Sequence, residues 1–229
     1  MALYTIGDLH LSFSSDKPMD VFGGRWQNYM EKLNKGLSVL TEEDTIVLCG
    51  DTSWGMSLEE SLEDFKYIDS FPGRKIILKG NHDYWWNTVS KVNGFFEKNG
   101  ISTISILHNN SYFYEDAAIC GTRGWFFEEN VHGGEHDKKV MNREVGRLKA
   151  SLQAAGDREK LVFLHYPPRF YGFVCREIVE LLNEFGVKDC YYGHLHGEGH
   201  KYAVQGETAG VNYHMVSSDY VKFTPVKIR

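Results

Sequence analysis

The chain has 229 residues, 42% of them hydrophobic, enough to bury the core of one domain without help from disulfides or oligomerisation. Its 25 Lys and Arg against 31 Asp and Glu leave a formal net charge of -6, which argues against the broad basic face that duplex nucleic acid requires. No apolar run approaches the roughly 20 residues of a membrane-spanning helix, and Cys49, Cys120, Cys175 and Cys190 lack CxxC spacing and read as core thiols in a reducing cytoplasm.

Residues Met1 to Thr5 run directly into a predicted strand, leaving no room for a signal peptide, so the mature protein is expected to start at Met1. Apolar runs bounded by turn residues predict buried strands at Ala2 to Ile6, Thr45 to Cys49, Lys75 to Leu78, Ile104 to Leu107, Ala117 to Cys120, Leu161 to Leu164 and Asp189 to Tyr192. Helical patterns lie between several of them, at Trp26 to Leu40, Ser57 to Phe71, Tyr84 to Lys98, Lys138 to Ala154 and Cys175 to Phe185. Alternation of strand and helix means an α/β layered fold, here expected as one domain over residues 1–229. After Gly197 the pattern shifts to short segments around Gly206, Gly210 and Val211 to Val216, which predict antiparallel strands completing a second sheet. The loop Gly121 to Asp137 mixes glycine and charge with Trp125, Phe126 and Phe127, a composition that suits a cap over a site.

Four predicted strands end in the same kind of chemistry. Gly7-Asp8-Leu9-His10, Gly50-Asp51, Gly80-Asn81-His82-Asp83 and His165 each follow an apolar run, and the carboxyl ends of strands are where layered α/β proteins build sites. Asp8 and His10 are two apart, so an extended backbone would aim both at one ion; His194 and His196 in Tyr192-Gly193-His194-Leu195-His196-Gly197 share that spacing. Two carboxylates, one amide oxygen and four imidazoles, with no thiolate, favour Mn²⁺, Fe²⁺, Co²⁺, Ni²⁺ or Zn²⁺ over Ca²⁺. His82 follows Asn81 immediately and so points elsewhere; it could instead protonate a leaving alkoxide.

In this order, the DxH, GD, GNHD, lone His and GHxH motifs, spanning Asp8 to His196, resemble the calcineurin-like metallophosphoesterase superfamily. The resemblance implies a four-layer α/β/β/α sandwich of two mixed β-sheets flanked by helices. It implies a dinuclear centre in which Asp8, His10, Asp51 and His196 hold one divalent ion and Asp51, Asn81, His165 and His194 the other, with Asp51 as the bridge. It also implies hydrolysis of a phosphodiester or phosphomonoester through a metal-bridging hydroxide, with His82 as the acid. Many members continue the second motif as GDxxD or GDxVDRG, whereas Asp51 here is followed by Thr52, Ser53 and Trp54. The carboxylate that often orients the histidine is therefore missing from that position, leaving Asp83 as the candidate, and the protein Ser/Thr phosphatase branch is disfavoured. The competing reading is a non-catalytic scaffold on the same fold, against which the ligand set is complete.

Arg123 follows a predicted strand and is a candidate clamp for substrate phosphate. Trp54, Trp85, Trp86 and Trp125 lie near the motifs, where an exposed ring could stack a nucleobase. The expected partner is thus a small phosphate ester, a nucleotide or a short oligonucleotide. His132 and His136 sit in a glycine-rich stretch and are expected in solvent, while His108, His200 and His214 have no informative spacing. The acidic run Glu59 to Asp64 reads as the wet first turn of a helix.

Overall fold

Along each central strand, alternate side chains enter two different cores. In β1 (Leu3–Ile6) and β2 (Thr45–Leu48), Leu3 and Val47 face inward while Ile6, Ile46 and Leu48 face outward onto helices. The same period of two sends Ile119 and Phe163 inward and Cys120 and Leu164 outward from β6 (Ala117–Thr122) and β7 (Glu159–Leu164). The computed structural model describes residues 1–126 and 134–229.

One sheet runs β13 (Val226–Lys227), β1, β2, β3 (Arg74–Ile77), β4 (Ile104–Ile106). The other runs β11 (Gly206–Thr208), β12 (Val211–Met215), β10 (Asp189–Tyr192), β7, β6, β5 (Tyr112–Tyr114). Both are mixed: β1 to β4 are parallel, as are β6, β7, β10 and β12, and antiparallel strands sit at the edges. A separate hairpin pairs β8 (Arg169–Phe170) with β9 (Phe173–Val174).

Helices α1 (Tyr29–Leu37), α2 (Leu62–Asp69) and α3 (Val89–Lys98) bury Leu33, Phe65 and Val92 against the first sheet. Helices α4 (Glu135–Ala154) and α5 (Arg176–Glu184) bury Leu148 and Ile178 against the second. The inner faces of the two sheets enclose the third core, so the four α/β/β/α layers implied by the sequence are present.

Every strand predicted from an apolar run is present within one or two residues. The short strands β5, β8, β9 and β13 were not foreseen, because two or three residues give no readable period. The acidic run is not wholly wet. Asp64 is buried, accepting hydrogen bonds from the Phe13 amide at 2.9 Å and from Ser53 Oγ. Of the 121–137 cap, residues 127–133, which include His132, lie outside the described residues, as does the His136 side chain.

Candidate metal centre

The parallel strands bring their carboxyl ends to one edge, where the sheets meet as the Gly7 amide donates to the Val216 carbonyl at 2.8 Å. The candidate ligand residues lie within four positions of those ends, and four of the seven have left-handed rather than extended backbone. Asp8, His10, Asp51 and His194 have φ of 59°, 48°, 49° and 74°. Non-glycine residues pay about 1 kcal/mol or more each for this left-handed region, and such residues cluster where function demands them. Asp8 and His10 therefore converge, but through two left-handed residues flanking Leu9 rather than through the extended spacing expected from the sequence.

Backbone hydrogen bonds hold this shape. The amides of Asp8 and His10 donate to the Gly50 and Asp51 carbonyls, each at 2.9 Å. The carboxylates are gripped in turn, Asp8 Oδ2 by the His194 amide at 2.9 Å and Asp51 Oδ1 by the His82 amide at 2.8 Å. Gly80 passes so close that a Cβ there would lie 2.0 Å from Asp51 Oδ1.

The donor atoms form two groups. In the first, His10 Nε2 is 3.3 Å from His196 Nε2, which is 3.6 Å from Asp8 Oδ1. In the second, His165 Nε2 is 2.6 Å from Asn81 Oδ1 and 3.2 Å from His194 Nδ1, with Asn81 Oδ1 and His194 Nδ1 2.9 Å apart. Asp51 Oδ2 stands between them, 3.7 Å from His10 Nε2 and 3.6 Å from His165 Nε2. Donors about 2.1 Å from one ion lie about 3.0–3.4 Å from each other, so this spacing fits metal coordination. All seven candidate ligand residues read from the sequence are thus brought together, and Asp8, His10, Asp51 and His165 are buried.

Outer partners fix which ring nitrogen is free. His165 Nδ1 donates to the Cys49 carbonyl at 3.0 Å, and His196 Nδ1 donates to Asp219 Oδ1 at 2.9 Å. Each leaves Nε2 facing its group, as ligating imidazoles require. Asp219 also accepts from the Gly197 amide at 3.0 Å.

A family model for calcineurin-like phosphoesterases matches residues 1–198. The chain belongs to the calcineurin-like phosphoesterase family. Among solved structures it is similar to TT1561 of Thermus thermophilus, with a TM-score of 0.53, 16% identity, and coverage of 85% of this chain and 81% of that one. At that identity the likeness is one of fold. It is also similar to the protein of unknown function AQ665 from Aquifex aeolicus, with a TM-score of 0.49, 16% identity, and coverage of 99% and 95%. No curated protein matches the chain.

The electrostatics of this candidate site show what a cation would meet. Burial works to raise the Asp8 carboxyl, but His196, His165 and His10 pull it well below the usual range. Asp51 moves the other way, raised by burial and by the carboxylates of Asp83 and Asp8. Burial works to lower His196, yet Asp8 and Asp219 lift it to about 10. Without an ion, His196 is therefore an imidazolium, whose proton a metal would displace.

A cleft of about 590 Å³ opens onto the first group, lined by His10, Trp54, His82, His196, Arg25 and Phe22 among others. Trp54 stacks on His10 with ring centroids 4.8 Å apart and leans on His82 at 4.4 Å. His82 Nδ1 lies within hydrogen-bond reach of the Tyr84 hydroxyl, at 3.3 Å. Burial, then the nearby His165, lowers His82 to about 4.

Asp83 does not orient His82. Its carboxylate accepts from the amides of Gly80, Thr52, Asp51 and Ser53 and from Trp85 Nε1, at 2.7 to 3.3 Å. Trp85 is buried in the core and offers no stacking face. Nor does Arg123 line the cleft. It is paired with the buried Glu144 at 3.1 Å, and its carbonyl accepts from the His165 and Tyr166 amides.

Sequence reading missed Asp219, Tyr84 and Arg25. Asp219 lies in the polar run Ser217-Ser218-Asp219 just past β12, the same strand-end signal that marked the candidate ligands. Arg25 follows the Gly23-Gly24 pair, a turn signal with nothing else to distinguish it.

Proposed function

We propose that this chain is a dinuclear metal-dependent phosphoesterase acting on a phosphodiester or phosphomonoester. The observation that carries the proposal is Asp51 Oδ2, one carboxylate oxygen within 3.7 Å of donor nitrogens from both ligand groups. Two divalent ions, when bound, supply a nucleophile at neutral pH and offset the charge of the phosphate. The mixed oxygen and nitrogen set suits Mn²⁺, Fe²⁺, Co²⁺, Ni²⁺ or Zn²⁺.

The chain's own groups do the rest. His82, held near the cleft by Tyr84 and Trp54, would act as the imidazolium: the anionic phosphate, on approach, raises its affinity for a second proton taken up from solvent, and that proton then passes to the leaving oxygen, returning the ring to its neutral form. Arg25 on the cleft wall takes the phosphate-facing role first given to Arg123, whose guanidinium Glu144 already occupies. Trp54 shields one face of His10 and His82 from water. A small phosphate ester, a nucleotide or a short oligonucleotide fits such a cleft, and the four buried free cysteines suit a reducing compartment. Among the described residues, no helix is long and apolar enough to cross a membrane.

The test is elemental analysis of the purified protein, together with rates on bis-p-nitrophenyl phosphate and p-nitrophenyl phosphate after adding Mn²⁺ and after chelation. About two ions per chain and chelator-sensitive turnover are expected. A protein that takes up no metal and turns over neither ester under any reconstitution would be a scaffold on this fold.

A further inference from the structure

Beside the metal cleft lies a second one, of about 620 Å³, and the two share Arg25 and Asp219. Its walls carry Arg25, Lys32, Lys35 and Lys222, with Phe223 between them, in a protein whose net charge is -6. The only acid among the lining residues, Asp219, is buried and turned toward His196 and the Gly197 amide. Among the described residues, none of the four cations has a carboxylate within ion-pair distance. Arg25 Nη1 meets His200 Nδ1 at 3.1 Å, and Lys32 Nζ donates to the Arg25 carbonyl at 2.8 Å.

This grouping is built by the fold. Lys32 and Lys35 lie one turn apart on α1, where like charges repel, so the helix keeps an unfavourable pair on one face. Gly36 lets α1 pack directly on the chain after β12, since a Cβ there would meet the Phe223 carbonyl oxygen at 1.9 Å, and this contact sets Lys222 beside the two lysines. Phe223 is buried beneath the ammonium of Lys32, which lies 5.5 Å from its ring centroid. Concentrated positive charge on an acidic protein, next to a site that attracts phosphate, raises the local concentration of anions.

We propose that this cleft is a subsite for a second phosphate group of the substrate, with Arg25 placed between the scissile phosphate and the second one. The substrate class is then a phosphate ester carrying another phosphate beyond the scissile one, either as a phosphoanhydride tail or as the phosphate of a neighbouring nucleotide. This placement rests on the phosphoesterase reading, but the binding of an anion by these side chains does not.

The test has two arms. Calorimetry on the chelated full chain at low salt should show inorganic pyrophosphate binding, weakened at least tenfold in a Lys35→Glu, Lys222→Glu double variant and by less in Lys35→Ala, Lys222→Ala. Both positions are exposed, and circular dichroism checks that the variants fold. Absence of binding to the natural chain, or equal binding by all three proteins, overturns the subsite.

The metal-loaded arm compares thymidine dinucleotides with and without a 5′-phosphate, and adenosine diphosphate with the monophosphate. The pair whose kcat/KM ratio falls about tenfold in the double variant names the source of the second phosphate. Ratios unchanged in both pairs overturn its assignment to the substrate. If the loaded protein turns over nothing, the phosphoesterase reading fails while the calorimetry still decides the anion site.

Discussion

Asp219 gives one carboxylate oxygen to His196 Nδ1 and the other to the Gly197 amide, so it sets both the tautomer and the position of the ring. Replacing Asp219 with Asn should lower metal affinity by about 10- to 100-fold, the usual effect of losing a ligand's outer partner. Metal titration of the chelated variant measures it, and unchanged affinity would remove Asp219 from the site. His82 has a different position and a different signature. It touches Asp51 only through its backbone amide, so His82→Ala should retain its metals. Turnover should fall by about 10²–10⁴-fold for an alkyl ester and much less for a p-nitrophenyl ester, whose leaving oxygen needs no proton. Equal slowing of both would assign His82 to positioning alone.

At the scale of elements, the turns after β2 and β3 are tied together by Asp83, which gathers four amides and the Trp85 indole. Asp83→Ala would leave these buried donors without an acceptor, and a loss of about 3–5 kcal/mol is expected in urea unfolding of the chelated protein. Asp83→Asn should lose less, because one oxygen still accepts. The sequence showed which strand ends carry the candidate ligands that the fold brings together, since an apolar run followed by Asp, Asn or His is a local signal. It did not show Asp83 as a knot, because its partners at 51–53 lie some thirty positions away and are joined by packing alone. The same limit hid Glu144, whose buried carboxylate draws Arg123 away from the cleft, and it hid the left-handed backbone at Asp8 and His10. Those φ values follow from hydrogen bonds between strand ends, which no spacing along one strand reveals.

For the whole molecule, the candidate ligands come from both halves: Asp8, His10, Asp51 and Asn81 follow strands of one sheet, and His165, His194 and His196 follow strands of the other. Bound ions would therefore link the two sheets, and their removal should be felt by the entire fold. At a free metal concentration 100 times Kd the stabilisation is about 2.7 kcal/mol, so chelation should lower Tm by roughly 5–11 °C for a chain of this size. The pH dependence has a definite sign. Asp51 is raised in the folded, ion-free chain, so its contribution is present below the unfolded carboxylate value and is lost as pH rises through the raised one. His196 is raised to about 10, so its contribution is complete below the ordinary imidazole value and declines between there and about 10. Both losses burden the chelated protein alone, since an ion holds Asp51 charged and His196 neutral at either pH. The difference in Tm between loaded and chelated protein should therefore be larger at pH 8 than at pH 5.5, as measured by scanning calorimetry. A difference that vanished at both pH values would mean that no ion spans the seam between the sheets, and one that shrank toward pH 8 would mean that Asp51 and His196 are not the groups whose charge the ions set.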